Sequence, residues 1–318
     1  MSSPIKKVII LGASGSVGKP ILAALLAEPS FTVTIVGRAS SSAKFPTGVP
    51  VKTVSDDFTV EELTTIFRGQ DAVVVALSTL PVTAGGKDGL AFRLIDAALA
   101  AGVKRFIPSE FGANNLDPRA RALVPTYDIK GNMLEYLQQT CASSNGKMTW
   151  SSICCGSWLD WALDASRSNN FLGVDVKNRT ATIYDSGNKP FAVTTSSNTG
   201  LAVARVLGHA DMTANKQIFL ADFQVSMREI VAELEKQMST KFSITEKDSA
   251  SAIKELKKRH EEGDAMATFG LLAISFGADV DVGYDFLAEQ QVWNEKLGLP
   301  KVQLPEVIKE VIEAAERS

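Results

Sequence analysis

The sequence predicts an α/β fold: a doubly wound parallel sheet followed by a smaller α/β lobe. Three observations predict it. Short apolar runs alternate with helical patterns through the first 155 residues. The first run, Val8-Ile9-Ile10-Leu11, passes directly into the glycine-rich turn Gly12-Ala13-Ser14-Gly15-Ser16-Val17-Gly18. The run Asp71 to Leu77 is apolar throughout after its first residue, as a parallel strand covered on both faces should be.

Taken in order, Val8–Leu11 is the first strand, and Ile21 to Leu26 reads as a helix. Thr32 to Val36 is the second strand and ends at Gly37-Arg38. Val51 to Val54 is a third strand, and Val60 to Phe67 a helix with Leu63, Ile66 and Phe67 on one side. Asp71–Leu77 is the fourth strand, with Ser78-Thr79-Leu80-Pro81 at its carboxyl end, where open α/β sheets bind ligands. A Gly85-Gly86 and Gly89 loop leads to a helix from Leu90 to Ala101. Arg105 to Pro108 is the fifth strand, a helix surrounds Lys130 to Leu137, and Met148 to Ile153 is the sixth strand.

Beyond Cys155 the alternation loosens. Thr180–Tyr184 and Ala192–Thr195 read as short strands about the turn Asp185-Ser186-Gly187-Asn188. Ser197–Leu207 reads as a helix, and Ser226-Met227-Arg228-Glu229 as a capping box opening a helix to Met238. Lys254–Glu262, Ala265–Phe276 and Pro305–Ala315 also carry helical patterns. The expected organisation is a dinucleotide-binding domain over residues 1–155 and a substrate lobe over 156–318, laid on the sheet's ligand edge with some segments returning to the sheet.

The glycine turn carries the first functional signal. Strand, glycine loop and helix stand in the order that lets a backbone approach a pyrophosphate, and the helix start then offers unpaired N–H groups. The spacing is G-x-x-G-x-x-G rather than the commoner G-x-G-x-x-G, so the context carries the reading. At the end of the second strand an NAD site usually has a carboxylate for the ribose 2′-hydroxyl; this chain has Arg38, which suits a 2′-phosphate. The expected cofactor is NADP(H), held by Gly12, Ala13, Ser14, Gly15, Ser16, Val17, Gly18 and Arg38 on this Rossmann-type unit.

Composition bounds the rest. With 318 residues, 45% hydrophobic and 22% charged, the chain reads as an ordinary globular protein. A net charge of −3 disfavours a nucleic-acid surface. No apolar run approaches a membrane span, Met1-Ser2-Ser3-Pro4 shows no signal-type run, and Glu316-Arg317-Ser318 is no address signal. The expectation is a cytoplasmic monomer or weak homodimer without membrane or nucleic-acid partners. Cys141, Cys154 and Cys155 form no metal or redox spacing, and His209 and His260 read as surface residues, so no metal is expected.

Phe106-Ile107-Pro108-Ser109-Glu110-Phe111-Gly112, with the glycine loop and Arg38, resembles the isoflavone reductase-like group within the NmrA-like atypical short-chain dehydrogenases. That group includes phenylcoumaran benzylic ether and pinoresinol–lariciresinol reductases. The resemblance covers nearly the whole chain. It implies a catalytic lysine on the helix after the fifth strand, matched here by Lys130 in Thr126-Tyr127-Asp128-Ile129-Lys130. It implies cofactor contacts at Lys44, Ser78, Thr79, Ser109, Phe111 and Lys130, and a substrate site walled by Phe111, Trp158 and Trp161. The Tyr-x-x-x-Lys pair of ordinary short-chain dehydrogenases is absent: Thr126 stands four residues before Lys130, and Tyr127 has the wrong helical spacing. The chain also departs from the family at Met133-Leu134-Glu135-Tyr136 and at Cys155-Gly156-Ser157-Trp158-Leu159, so the plant substrates do not carry over.

The implied function is an NADPH-dependent reduction of a small aromatic or apolar substrate (an enone, quinone methide, carbonyl or benzylic ether), with Lys130 as ribose contact and general acid. Two other readings are compatible with the residues: a dinucleotide sensor that controls a partner protein, as NmrA does, and a redox-neutral isomerase on the same fold.

Overall fold

In the computed structural model, residues 4–317 are described; Met1 to Ser3 and Ser318, on which the leader and address-signal expectations partly rest, lie outside the described residues. The strands are β1 (Lys7–Leu11), β2 (Thr32–Arg38), β3 (Val51–Val54), β4 (Ala72–Val75), β5 (Arg105–Ile107), β6 (Thr149–Cys154), β7 (Val174–Asp175), β8 (Thr180–Tyr184), β9 (Phe191–Val193), β10 (Lys216–Phe219), β11 (Phe223–Val225) and β12 (Ser243–Lys247). Seven of them form one parallel sheet in the order β10-β6-β5-β4-β1-β2-β3. The inner strands are covered on both faces: Ile9, Ile10, Val73 and Val74 are all inaccessible to solvent. That double coverage is why their sequences read as continuous apolar runs.

Sheet order fixes where a ligand can sit. The chain leaves β1 toward β2 and β3, then crosses back to lay β4 on the other side of β1, so the crevice at the carboxyl ends of β1 and β4 is the topological switch point.

Two elements from the second half belong to this sheet. The helix Ser196–Gly208 packs against the first helix, Gly18–Ala27, so closely that a Cβ on Gly200 would collide with the Pro20 backbone. The segment Lys216–Phe219, for which no strand was anticipated, joins β6 as the seventh strand. Arg105 locks this edge. Its guanidinium is buried and donates to Thr149 Oγ1 at 2.9 Å, Ser151 Oγ at 2.9 Å, Thr213 Oγ1 at 3.0 Å and the Ala210 carbonyl at 2.6 Å. Burial among neutral acceptors draws its pKa down to about 10.

The remaining lobe carries β7, β8 and β12 as a three-stranded sheet and β9 with β11 as an antiparallel pair. The anticipated capping box is formed: the Ser226 backbone N–H donates to Glu229 Oε2 at 2.8 Å and the Glu229 N–H to Ser226 Oγ at 3.3 Å. Several bounds differ from expectation. The helix carrying Lys130 runs Pro125–Ser143, and Thr79–Thr83 and Pro118–Leu123 are two further short helices. His209 is exposed as expected, whereas His260 is half-buried with a buried Nδ1 that has no partner.

Candidate active site

The glycine loop is built so that no side chain can replace its key glycines. Gly12 has φ +79°, and a Cβ there would collide with the Ala76 carbonyl at the end of β4. A Cβ on Gly18 would strike the Gly12 carbonyl, so the helix start sits directly beneath the loop. That helix has no side-chain cap; in its first turn the Lys19 N–H already donates to the Gly15 carbonyl at 3.0 Å and Pro20 has no N–H, so a phosphate would rely on the loop's own backbone donors. A cleft of about 200 Å³ follows from the loop along the β1, β2 and β4 ends, past Gly12 to Gly15, Arg38 and Ser78. This cradle fits a dinucleotide: backbone donors at the pyrophosphate position and a guanidinium at the end of β2.

Two features of the Arg38 end were not legible in the sequence. Arg38 Nη1 lies 3.9 Å from Asp56 Oδ1, and Ser40 Oγ donates to the same oxygen at 2.5 Å. Lys44 is exposed and does not line the cleft; Ser41 and Phe45 do instead.

The ends of β4 and β5 are joined by Ser109, whose Oγ donates to the Leu77 carbonyl at 2.7 Å. After β5 the chain makes a tight turn, with the Glu110 N–H on the Pro108 carbonyl at 2.9 Å and Phe111 at φ +36°. A positive φ is strained for an aromatic residue and marks a turn held by its surroundings. The turn aims two carbonyls at one amine: Lys130 Nζ donates to Ser109 O at 2.8 Å and to Glu110 O at 3.2 Å. Lys130 is buried at 8% exposure, and burial lowers its pKa, opposed by the Glu110 charge. Glu110 is buried too. Its carboxyl accepts from Asn115 Nδ2 at 2.6 Å, and burial pushes its pKa up against the pull of Lys130 and Asn115.

Beside Lys130 opens a cavity of about 490 Å³. Thr79, Phe111, Lys130, Trp158 and Trp161, all anticipated, line it together. Trp158 and Trp161 meet edge to face at 6.0 Å, and Trp161 continues onto Phe171 at 5.5 Å. Trp161 thus both walls the cavity and packs the lobe. Trp158 Nε1 donates to Cys155 Sγ at 3.1 Å. Cys154 and Cys155 are buried free thiols, and burial drives Cys155 up to about 12, which suits structural rather than redox residues.

Sequence reasoning missed Glu110 and Tyr127 as lining residues, and the entire far wall from Met266, Phe269 and Phe276. The far wall belongs to the helix Ala267–Gly277, which is apolar on nearly every side, so no periodicity marks the face turned to the cavity. Thr126, at the position of the absent tyrosine, is bonded to Thr268, Oγ1 to Oγ1 at 2.8 Å. Among the described residues no group of three or more His, Cys, Asp or Glu is placed to hold a metal ion, and no helix is long and apolar enough to cross a membrane.

Comparison with known proteins agrees with this geometry. An NAD(P)H-binding family model matches residues 12–173. The chain is 33% identical over 311 residues to the oxidoreductase aprR of Aspergillus flavus, covering 96% of this chain and 98% of that one. It is 32% identical over 253 residues to the oxidoreductase poxI of Penicillium oxalicum, covering 79% of this chain and 76% of that one. Its fold is that of isoflavone reductase (TM-score 0.71, 18% identity, 96% of this chain and 99% of that chain). Leucoanthocyanidin reductase from Vitis vinifera shares it (TM-score 0.70, 19% identity, 96% and 99%). With cradle, cleft and whole-chain relatives in agreement, the chain belongs to the NAD(P)H-binding family and is an NAD(P)H-dependent oxidoreductase of isoflavone reductase-like fold.

Proposed function

We propose that this oxidoreductase prefers NADPH and reduces an electrophilic carbon of a small aromatic or apolar substrate, with Lys130 as the proton donor. The observation that carries the reading is the placement of Lys130. Its Nζ is buried in the wall of an aromatic-lined cavity beside the β4 and β5 ends, and two carbonyls occupy two of its three donor positions. The third is left for a ligand.

The reduced nicotinamide supplies hydride when bound. The chain's own residues do the rest. Phe111, Trp158 and Phe276 exclude water and hold a flat apolar substrate. Lys130 stabilises the oxyanion that develops as the substrate is reduced, and then transfers its proton to that oxygen. The neutral amine left behind still donates to the Ser109 and Glu110 carbonyls, so the transfer leaves no buried acceptor unpaired. Arg38 supports the NADPH preference, because a guanidinium complements a phosphate better than a hydroxyl.

The test is NADPH oxidation against a panel of aromatic enones, aldehydes, quinone methides and benzylic ethers. Turnover with at least one class is expected. Tight NADPH binding with no oxidation by any of them would overturn the reading in favour of a sensor.

A further inference from the structure

The cavity beside Lys130 does not end at its aromatic wall. A second chamber of about 250 Å³ lies along another side of the helix Ala267–Gly277. Met266, Phe269 and Phe276 line the first cavity alone, and Ile274 and Gly277 line the second alone. Gly270 and Ala273 line both, as do Asn170 and Phe171. Gly270 and Ala273 stand three residues apart on one side of the helix and carry almost no side chain. The junction of the two chambers is therefore bare helix on one side, and Phe171 is the large side chain at it. Phe171 is half-buried and follows Asn169 and Asn170, which both have φ +55°.

The second chamber is apolar along the helices and polar along the sheet. Leu172, Met227, Leu256 and Ile274 supply its apolar walls. Thr182 and Tyr184 stand two residues apart on β8, so their side chains share one face, and Lys247 on β12 is the register partner of Tyr184. Among the described residues none of these three side chains has a hydrogen-bond or ion-pair partner. Lys247 is exposed, so the chamber opens to solvent on that side. Its chain neighbours are engaged elsewhere: Glu246 pairs with Arg228 at 2.6 Å, and Asp248 accepts from the Ser251 N–H at 2.7 Å.

We propose that this second chamber is a subsite for a distal arm of the substrate: an apolar chain that passes Phe171 and ends in a carboxylate held by Tyr184 and Lys247. The proposal rests on the reading of the first cavity as the substrate site and deepens it, from an apolar substrate to an elongated one with an anionic end. The walls name the class. An apolar chain leaves water for Leu172, Met227, Leu256 and Ile274. An unpartnered tyrosine hydroxyl beside an unpartnered ammonium calls for an acceptor, and the fixed positive charge favours an anionic one. A cationic end would meet Lys247 as a like charge.

The probes are benzylideneacetone, an aromatic enone that reaches only the first cavity, and derivatives with a para-alkoxy arm of increasing length ended by a carboxylate or its methyl ester. Binding to the full-length protein is read by isothermal titration with NADP⁺ present, and turnover separately by NADPH oxidation. Affinity should rise about two- to fourfold for each methylene that enters the chamber. At low salt the carboxylate arm should bind about two- to fivefold more tightly than its ester, and Lys247→Gln should remove that difference. Thr182→Tyr, which fills the second chamber alone, should abolish the advantage of the armed ketones over benzylideneacetone. The length series in the parent protein and the exposed Lys247→Gln decide the matter even if Thr182→Tyr fails to fold. An arm that adds no affinity in the parent, equal binding of carboxylate and ester, or an advantage that survives in folded Thr182→Tyr would each overturn the proposal. Arm-dependent binding with no NADPH oxidation would sink the reductase reading and leave the subsite intact. Oxidation of benzylideneacetone with a flat length series would do the reverse.

Discussion

Tyr127 Oη lies 2.6 Å from Tyr284 Oη, and this contact fixes what Tyr127 can do. Ser275 Oγ donates to the Leu272 carbonyl at 2.6 Å, so its single proton is committed. Tyr284, 2.9 Å from Ser275 Oγ, must then donate to it, and Tyr127 must donate to Tyr284. Tyr127 has no proton left for a substrate, although it stands on the wall of the cavity. Its place in the helix is that of a packed residue with a satisfied hydroxyl.

Tyr127→Phe should therefore cost about 1 kcal/mol of stability, the worth of one net hydrogen bond. Turnover with the best substrate should change by less than about threefold. Urea denaturation and steady-state kinetics measure the two effects, and a hundredfold loss of turnover would make Tyr127 the acid instead of Lys130.

Lys130→Ala should leave the fold standing, since a helix accepts alanine readily. It should lower turnover by roughly 10²–10⁴-fold, the range of a lost general acid. NADPH affinity should fall much less, because the glycine loop and Arg38 still face the phosphates. Fluorescence titration and single-turnover NADPH oxidation separate the two. In the parent, burial lowers the Lys130 pKa, so activity should decline as pH rises through a midpoint below that of an ordinary lysine.

Arg38 shares its end of the cleft with a carboxylate. Arg38→Ala should weaken NADPH binding about tenfold, roughly 1.4 kcal/mol, with little effect on NADH. Asp56 lies 3.9 Å from Arg38, with both side chains about half exposed, and its negative charge opposes a 2′-phosphate. Asp56→Asn should strengthen NADPH binding, most visibly at low ionic strength. Isothermal titration with both cofactors at two salt concentrations checks the pair, and equal affinity of the parent for NADH and NADPH would remove the basis for both expectations.

Gly18 has no room for a side chain, because the obstacle is the Gly12 carbonyl in the backbone. Gly18→Ala should cost about 1–3 kcal/mol of stability, the scale of an overpacked site. It should also weaken NADPH by moving the helix start away from the loop. Thermal unfolding with and without NADPH reads both effects; a variant with parental Tm and affinity would show that the loop relaxes freely.

The sequence by itself determined the doubly wound sheet and the glycine loop, each from local order: an apolar run covered on both faces, and a glycine where a backbone must approach closely. Lys130 is singled out through the family resemblance carried by Phe106–Gly112, on the helix that follows the fifth strand. The sequence also located Trp158 and Trp161, because they follow closely on the sixth strand. The tertiary structure decided what distant segments bring together. Lys216–Phe219 joins the sheet although its sequence is too short and mixed to announce a buried strand. Asp56 comes to Arg38 across a strand and two loops. The helix Ala267–Gly277 supplies the far wall of the cavity, and Tyr284 accepts the Tyr127 hydrogen bond from 157 residues away. Periodicity reports which side of an element is covered, but not by what, and the contact of Lys130 Nζ with the Ser109 and Glu110 carbonyls exists only once the turn at Phe111 has formed.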